Sequence, residues 1–516
     1  MALAVTACKK QIDGPDHSTL TTSLIFETSR DLDNLLYGAY GALANGNTLT
    51  GNWKLYPELL ADHVQVNIDD HNNADPYQQV YNRNLTQAQY PENWRLGYTA
   101  IQNANTVLYA IDKKLITKEK DPEFNDATRD RMMGEAYFIR ALCHFELLRF
   151  YGKQYLYSVL PVEGTPGVAA ESNSSPGIVL RTDPLIDING KEDVLGLGRA
   201  SVELVYQQVI ADLKAAEMLL PPVSLPRRGR ATSYAASAIL ARVYFQQNNY
   251  PAALTAISKV IGNTPGLIST EFVLVRANGL NTAPTTAQAE ANVAAAFRST
   301  STSAKISENI FDLVSTTGYP VNNFINRKYM RTAVIEPSLA VSNAFLTAAN
   351  FHVADGRRTG LLSTVTGTAA KTYSRKYDQN LMNIPVIRSA ELLLDRAEIN
   401  AILATGQANG SAAHLAALED LKLIRGRSIA NAAAAFPTAT NITASTILAE
   451  VRTERIRELA FEGDRLHNLR RMQAMVGPGD RPAAAALGPN SNRLLFKIPD
   501  AEIRASKNIV QNPDVD

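Results

Sequence analysis

The stretch from Val451 to Met472, VRTERIRELAFEGDRLHNLRRM, restricts the possible folds of this chain more than any other. Read as one helix at about 100° per residue, it places Ile447, Val451, Phe461, Leu466, Leu469 and Met472 on one side. Glu454, Arg455, Glu458, Glu462 and Arg465 fall within the same arc, about 140° wide. An ordinary surface helix turns its charges to the opposite face. Opposite charges that share the apolar side, three or four residues apart, predict a buried, paired ion network. Desolvating so many charges is costly, so the rest of the chain must enclose this segment on several sides.

The 516 residues are 45% hydrophobic and 20% charged, enough for one large domain or a few closely packed ones. A formal net charge of +1 argues against nucleic acid as the main partner, because phosphate binding needs concentrated basic charge. Arg227, Arg228 and Arg230 cluster between prolines and a helix start, which reads as a loop. No run approaches the roughly 20 apolar residues that would span a bilayer. Cys143 sits in a helical pattern and reads as a buried free thiol; with Cys8 accounted for separately, neither a disulfide framework nor a cysteine metal site is available.

Val5-Thr6-Ala7-Cys8 has the apolar-small-small-Cys form of a bacterial lipoprotein processing site, which makes Cys8 the expected lipid anchor. The residues before it are few for a complete signal peptide. The polar residues after it suit a tether, so residues 1–20 are assigned to residual signal, processing site and tether, and residues 21–516 to the folded domain.

Helical periodicity dominates that domain. Ser29 is the expected N-cap of a first helix carrying Leu32, Leu35, Leu36, Ala39 and Leu43. Further helices are predicted from about Glu92 to Leu115, Arg131 to Tyr151 (stopping at Gly152 as a C′ residue) and Ala200 to Leu220. ATSYAASAILARVYFQQNNYPAALTAISKVI has the grammar of a tetratricopeptide repeat: small residues at Ala235, Ala236, Ala238 and Ala241, a turn at Asn248-Asn249, and a second helix to Ile261. A similar pair is predicted over Ile387–Leu403 and Ala412–Ile424, its first helix apolar on two faces and so sandwiched. Irregular regions are expected at about Val159–Leu197, Thr264–Ser307 and Gly356–Asn383.

No HExxH, Walker loop, GxSxG or dinucleotide GxGxxG occurs, so the chain reads as a non-enzyme. His144 and Glu146 are too close along a helix to share a metal. The segment Ala61–Asn84 packs Asp69, Asp70, His71, Asn72, Asn73 and Asp75 beside Tyr77 and Tyr81. Planar polar groups of this kind hydrogen-bond sugar hydroxyls, and aromatic faces stack on pyranose rings. The same composition also describes an Asn/Asp-rich turn in water, or oxygen ligands for Ca²⁺. A second cluster, Tyr319, Asn322, Asn323, Phe324 and Tyr329, carries the same alternatives.

Seven segments in order resemble the SusD/RagB family of Bacteroidota surface lipoproteins: YGAYGAL with ELLADHV, NWRLGYTAIQNANTVL, EAYFIRALCHFELLRFYG, GRATSYAASAILARVYF, IPVIRSAELLLDRAE, ERIRELAFEGDRLHNLRR and KIPDAEIRASKNIVQNP. The resemblance covers nearly the whole chain after the tether. It implies an all-α, tetratricopeptide-like scaffold with long loop excursions, lipid-anchored on the outer membrane and facing outward. It further implies an oligosaccharide ligand, bound without chemistry and passed to a SusC-like TonB-dependent barrel; some relatives take peptides. A peptide- or protein-binding scaffold and a surface glycosidase are the alternatives. Asn468 stands where the family more often has Asp, which removes one possible partner from the ion network. With Trp94 expected in the core, an aromatic platform would rely on tyrosines or Trp53.

Overall fold

The computed structural model describes residues 26–67, 76–85, 90–185, 196–223, 229–275, 284–297, 306–332, 336–365, 370–429, 436–482, 484–506 and 508–514. Cys8 and the proposed tether lie outside them, as do Asp69, Asp70, Asn72 and Asn73.

Helices α1 (Ser29–Leu43) and α2 (Asn52–Leu60) lead to strand β1 (Val64–Val66), then α3 (Pro76–Tyr81), α4 (Pro91–Asp112) and α5 (Asp126–Tyr151). A hairpin of β2 (Tyr157–Val159) and β3 (Val168–Ala169) precedes α6 (Val202–Leu219), α7 (Ser233–Gln246) and α8 (Tyr250–Ile261). A mixed region follows: α9 (Thr286–Phe297), β4 (Asn309–Leu313), α10 (Asn323–Tyr329), β5 (Leu339–Val341), α11 (Asn343–Ala349), α12 (Gly356–Gly360), β6 (Leu362–Val365), β7 (Lys371–Ser374) and β8 (Ile384–Arg388). The chain returns to helices with α13 (Ser389–Ala404), α14 (Ala412–Ser428), α15 (Ile447–Leu459), α16 (Arg465–Arg471) and α17 (Asp500–Ala505).

The long helices stack in series: α1 on α4, α4 on α5, α5 on α6, α6 on α7, α7 on α8, α8 on α13, and α13 on α14, with α15 laid across α13. Alanines at the α7–α8 contact allow close approach, and Asn248 (φ +62°) makes the turn between them. Two Arg-Ala motifs lock the stack. Arg140 of α5 grips Asp212 of α6 with a fork of bonds at 2.6 and 2.7 Å, and Arg396 of α13 grips Asp420 of α14 at 2.7 and 2.8 Å. All four side chains are buried, and each fork uses the fixed geometry of a guanidinium against a carboxylate. These motifs therefore hold each helix to its successor.

Several boundaries differ from the sequence reading. Thr28 rather than Ser29 caps α1, with its N–H donating to Asp31 at 2.8 Å, while the Ser29 N–H donates to Asp121 at 2.7 Å. The helix predicted from Ile387 starts at Ser389, because Ile384–Arg388 forms strand β8 against β4. Its Pro, Val and Ile residues favour that extended backbone. The excursion predicted at Gly356–Asn383 contains α12 and the β6–β7 pair, which joins the antiparallel sheet β1-β5-β7-β6. The excursion at Thr264–Ser307 contains α9. Gly152 ends α5 in an extended rather than left-handed conformation, and a Cβ there would sit 2.7 Å from Leu148 Cδ1 and 3.0 Å from the Leu148 carbonyl oxygen. Arg230 lies in the bend before α7, as expected, but it is buried, bonded to Glu135 at 2.6 Å and stacked on Tyr37; Arg227 and Arg228 lie outside the described residues.

The largest correction concerns Val451–Met472, which is two helices. After α15 the chain turns through Phe461 (φ +67°) and Gly463 (φ +87°) before α16 begins. Glu462 and Arg465 thus stand off the helix that carries Glu454, Arg455 and Glu458. The charges are buried, but their partners come mostly from distant segments. Glu458 bonds Arg357 (3.1 Å), Arg388 (3.2 Å) and Arg427; Glu454 bonds Arg357 (2.7 Å) and Arg425 (2.8 Å). Glu462 bonds Arg388 (2.6 Å) and Lys376 (2.7 Å). Arg455 bonds Asp395 (2.5 Å) and Asp464 (2.7 Å), and Arg465 bonds Asp62 (2.7 Å). Only Glu454 and Arg457, 3.2 Å apart, pair along the helix itself. Asn468 keeps a place in the network, because its amide oxygen accepts from Arg471 at 2.8 Å.

Burial alone would raise the pKa of these carboxylates. The guanidiniums around them reverse it, lowering Glu454 (Arg357, Arg425) and Glu462 (Arg388, Lys376) to about 2 and holding Glu458 well below the usual range.

Candidate functional site

The two polar-aromatic clusters of the sequence meet in space. Helices α3 and α10 lie together, with Lys328 Nζ 4.0 Å from the centre of the Tyr77 ring and 5.7 Å from that of Phe324. The Phe324 ring fills the concave side of the turn at Gly46–Gly51, where a Cβ on Gly46 would come within 2.3 Å of it. The Tyr77 hydroxyl donates to Asn52 Oδ1 at 2.9 Å, which ties α3 to α2.

Within this arrangement the proposed contact residues divide sharply. Tyr77 and Tyr81 are 7% and 4% exposed, with Tyr77 beside Tyr56 and Tyr81 beneath the Arg481 guanidinium, so neither ring offers a free face. Tyr329 is fully buried, 5.9 Å from Tyr377 and 5.7 Å from Phe461 in the core, and cannot serve as a surface contact. Trp53 is likewise buried at 2% and provides no platform. Trp94 packs on Tyr98 and Tyr151.

Tyr319 and Asn323 face solvent. Tyr319 is 52% exposed and closes the turn Thr316–Tyr319 through reciprocal backbone bonds with Thr316 (3.0 and 3.1 Å). Asn323 is exposed on the first turn of α10, whereas its neighbour Asn322 is buried and bonds the Gln379 carbonyl at 2.6 Å. The surface left for a ligand is therefore the Tyr319 ring and the Asn323 amide, with Arg327 and Lys328 one turn further along α10.

Lys328 was missed by the sequence reading, although it follows Phe324 by four residues and so shares its helix face. Asn52, the tie to Tyr77, left no local signal. The turn bearing Tyr319 rests on the core through α10, because Tyr329 packs against Phe461 and the Tyr377 hydroxyl donates to the Phe461 carbonyl at 3.0 Å. The break between α15 and α16 thus supports the candidate surface from below.

An exposed ring can stack on a polyhydroxylated ligand, and exposed amide and cationic groups of the same segment can hydrogen-bond one. Among the described residues no cluster of His, Cys, Asp or Glu could hold a metal ion, and the carboxylates considered for Ca²⁺ lie outside them. A separate open groove of about 800 Å³ runs between α11, α12 and the β6–β7 edge, lined by Asn350, Phe351, Arg358, Thr359 and Thr364.

Series-stacked helix pairs carrying polar-aromatic excursions define an all-α, tetratricopeptide-like binding scaffold. The family model described as starch-binding and associating with the outer membrane matches residues 13–245, and that of the SusD family matches residues 355–514. The chain belongs to the SusD/RagB family. It is 23% identical over 269 residues to SusD-like protein P25 of Formosa agariphila, and 27% identical over 157 residues to a SusD-like protein of Bacteroides ovatus. Those matches take in 50% and 30% of this chain, which spans 44% and 22% of the length of the two relatives. A SusD superfamily protein from Bacteroides thetaiotaomicron shares the fold with a TM-score of 0.72 at 21% identity, covering 94% of this chain and all of that one. A laminarin-binding SusD-like protein does so with a TM-score of 0.67 at 18% identity, covering 95% of this chain and all of that one.

Proposed function

We propose that this chain is a non-catalytic oligosaccharide-binding lipoprotein of the outer-membrane surface that passes its ligand to a SusC-like TonB-dependent transporter. The observation that carries the ligand half is the solvent-facing Tyr319 ring, four residues before the exposed Asn323. Membership of the SusD/RagB family supports the role, and the fold shared with a laminarin-binding protein supports a glycan as ligand. The Asp69–Asn73 segment, which runs into α3, is retained as a proposed further contact.

Tyr319→Ala is expected to weaken oligosaccharide binding about tenfold, equivalent to about 1.4 kcal/mol, in isothermal titration against ligands found on a glycan array. The fold should be unaffected, because the ring is half exposed. Phe351→Ala, in the separate groove, should leave affinity unchanged. Loss of binding in the Phe351 variant alone would move the site to that groove, and an array with no oligosaccharide binder would remove the glycan reading.

Cys8 is the proposed site of lipidation. Cys8→Ser in the full-length precursor should release the protein from the membrane fraction, and unchanged fractionation would defeat the anchor.

A further inference from the structure

Between α2, α5, α7, α13 and the turn at Glu462–Asp464 lies a polar cavity of about 40 Å³. A cavity needs roughly 10–15 Å³ to hold one water, so this one accommodates a small ion with a water or two. It is separate from the α3–α10 surface, and two features of its wall restrict what it can hold.

The first feature is hydrogen bonding. The carboxylates of the wall and the Asn468 amide oxygen are engaged: Glu146 takes Arg149, Glu391 takes Arg242 at 2.6 and 2.7 Å, Glu462 takes Arg388 and Lys376, Asp464 takes Arg455, and Asn468 takes Arg471. The unmet capacity falls on donors. Among the described residues, Trp53 Nε1 and Arg149 Nε are buried without a partner. Lys54, 5% exposed, makes no ion pair among the described residues, and its Nζ reaches only the Glu462 carbonyl at 3.4 Å. A water would bring two hydrogens to a wall whose carboxylates already bind guanidiniums and ammonium; a halide brings none.

The second feature is charge. Lys54 and four arginines line the cavity against four carboxylates, an excess of one positive charge. Including the outer ion-pair partners, Arg388 and Lys376 against Asp395 and Glu398, leaves that excess unchanged. Burying an uncompensated ammonium is costly unless an opposite charge accompanies it.

We propose that this cavity binds one small monovalent anion of the halide class, held by the Trp53 indole N–H and the Lys54 ammonium. The anion joins the N-terminal helix pair to the turn between α15 and α16, which are far apart in sequence. It also opposes the burial that, against the nearby Glu462, lowers the Lys54 pKa to about 8.

Bromide supplies a direct probe. Crystals of the full chain grown in sodium bromide should give an anomalous peak inside the cavity, within hydrogen-bond reach of Trp53 Nε1 or Lys54 Nζ. In solution, thermal midpoints in sodium chloride should exceed those in sodium gluconate at equal ionic strength by about 2 °C, saturating with chloride. Lys54→Met should abolish that difference. Trp53→Phe, which removes one donor and keeps most of the packing, should weaken the chloride response several-fold if the lysine variant does not fold. A cavity free of bromide overturns the proposal, even if chloride raises the midpoint through the protein surface.

Discussion

Glu458→Ala is expected to lower folding stability by about 3–5 kcal/mol, the range for removing one partner from a buried charge cluster. Glu458 is fully buried and accepts from Arg357, Arg388 and Arg427, which are themselves buried. Truncation leaves three buried guanidiniums facing one another with one carboxylate fewer. Urea denaturation should show the loss as a lower midpoint with an unchanged slope. Glu458→Gln, which keeps the shape and two hydrogen-bonding atoms, should lose less. Ligand affinity of the folded fraction should stay the same, since the residue touches none of the candidate surface.

The same network sets the acid limit of the protein. Carboxylates whose folded pKa lies below the unfolded value add stability that is fully present above about pH 5. As pH falls toward 2, where Glu454 and Glu462 titrate in the folded state, that contribution is withdrawn. Wild type should therefore unfold steeply below about pH 4. Because Glu458 is also held well below the usual carboxylate range, the Ala variant should show a shallower acid dependence. An identical acid profile for the two proteins would contradict this account.

Gly463→Ala is expected to lower stability by about 2–4 kcal/mol, from two effects that add. The residue has φ +87°, which side chains other than glycine adopt only with strain. A Cβ there would lie 2.9 Å from Lys54 Cα and 3.1 Å from the Trp53 carbonyl oxygen, and backbone cannot swing aside as a flexible side chain can. The Gly463 N–H also donates to Glu58 at 2.8 Å, so moving the turn breaks a buried bond to α2. Thermal melts monitored by tryptophan fluorescence should report both the loss and the altered surroundings of Trp53. A midpoint within 1 °C of wild type would mean that the turn yields more easily than its contacts imply.

Helices with clear period and caps could be read from sequence to within a few residues, as for α4, α5 and the α7–α8 pair. The segment Val451–Met472 shows where such reading stops. Its apolar and charged residues keep helical spacing through Phe461, and a helical projection therefore runs straight across the break. The turn is dictated by Gly463 meeting α2, a contact between residues some four hundred positions apart, and no local pattern encodes it. Strand β8 was hidden for a related reason, since its partner β4 lies more than seventy residues earlier and short apolar runs suit either conformation. The candidate site followed the same rule. Tyr319 and Tyr329 look alike in sequence, ten positions apart, yet one closes a turn and the other fills the core beneath it. Composition pointed to the candidate segments, and packing decides which of their described residues reach solvent.

The Arg357, Arg388 and Arg427 guanidiniums precede Glu454, Glu458 and Glu462 along the chain, and they converge on carboxylates that emerge later from the ribosome. Until those carboxylates arrive, Arg357 has Asp355 beside it and Arg388 and Arg427 share Glu308, which leaves three guanidiniums against two carboxylates. The α4–α8 stack can form from neighbouring contacts, but the second half must wait for closure over long loops, which is slow. A chain ordered in this way is expected to commit to its final form late in its synthesis. Pulse-proteolysis of nascent chains arrested before and after Glu462 would place the moment of commitment.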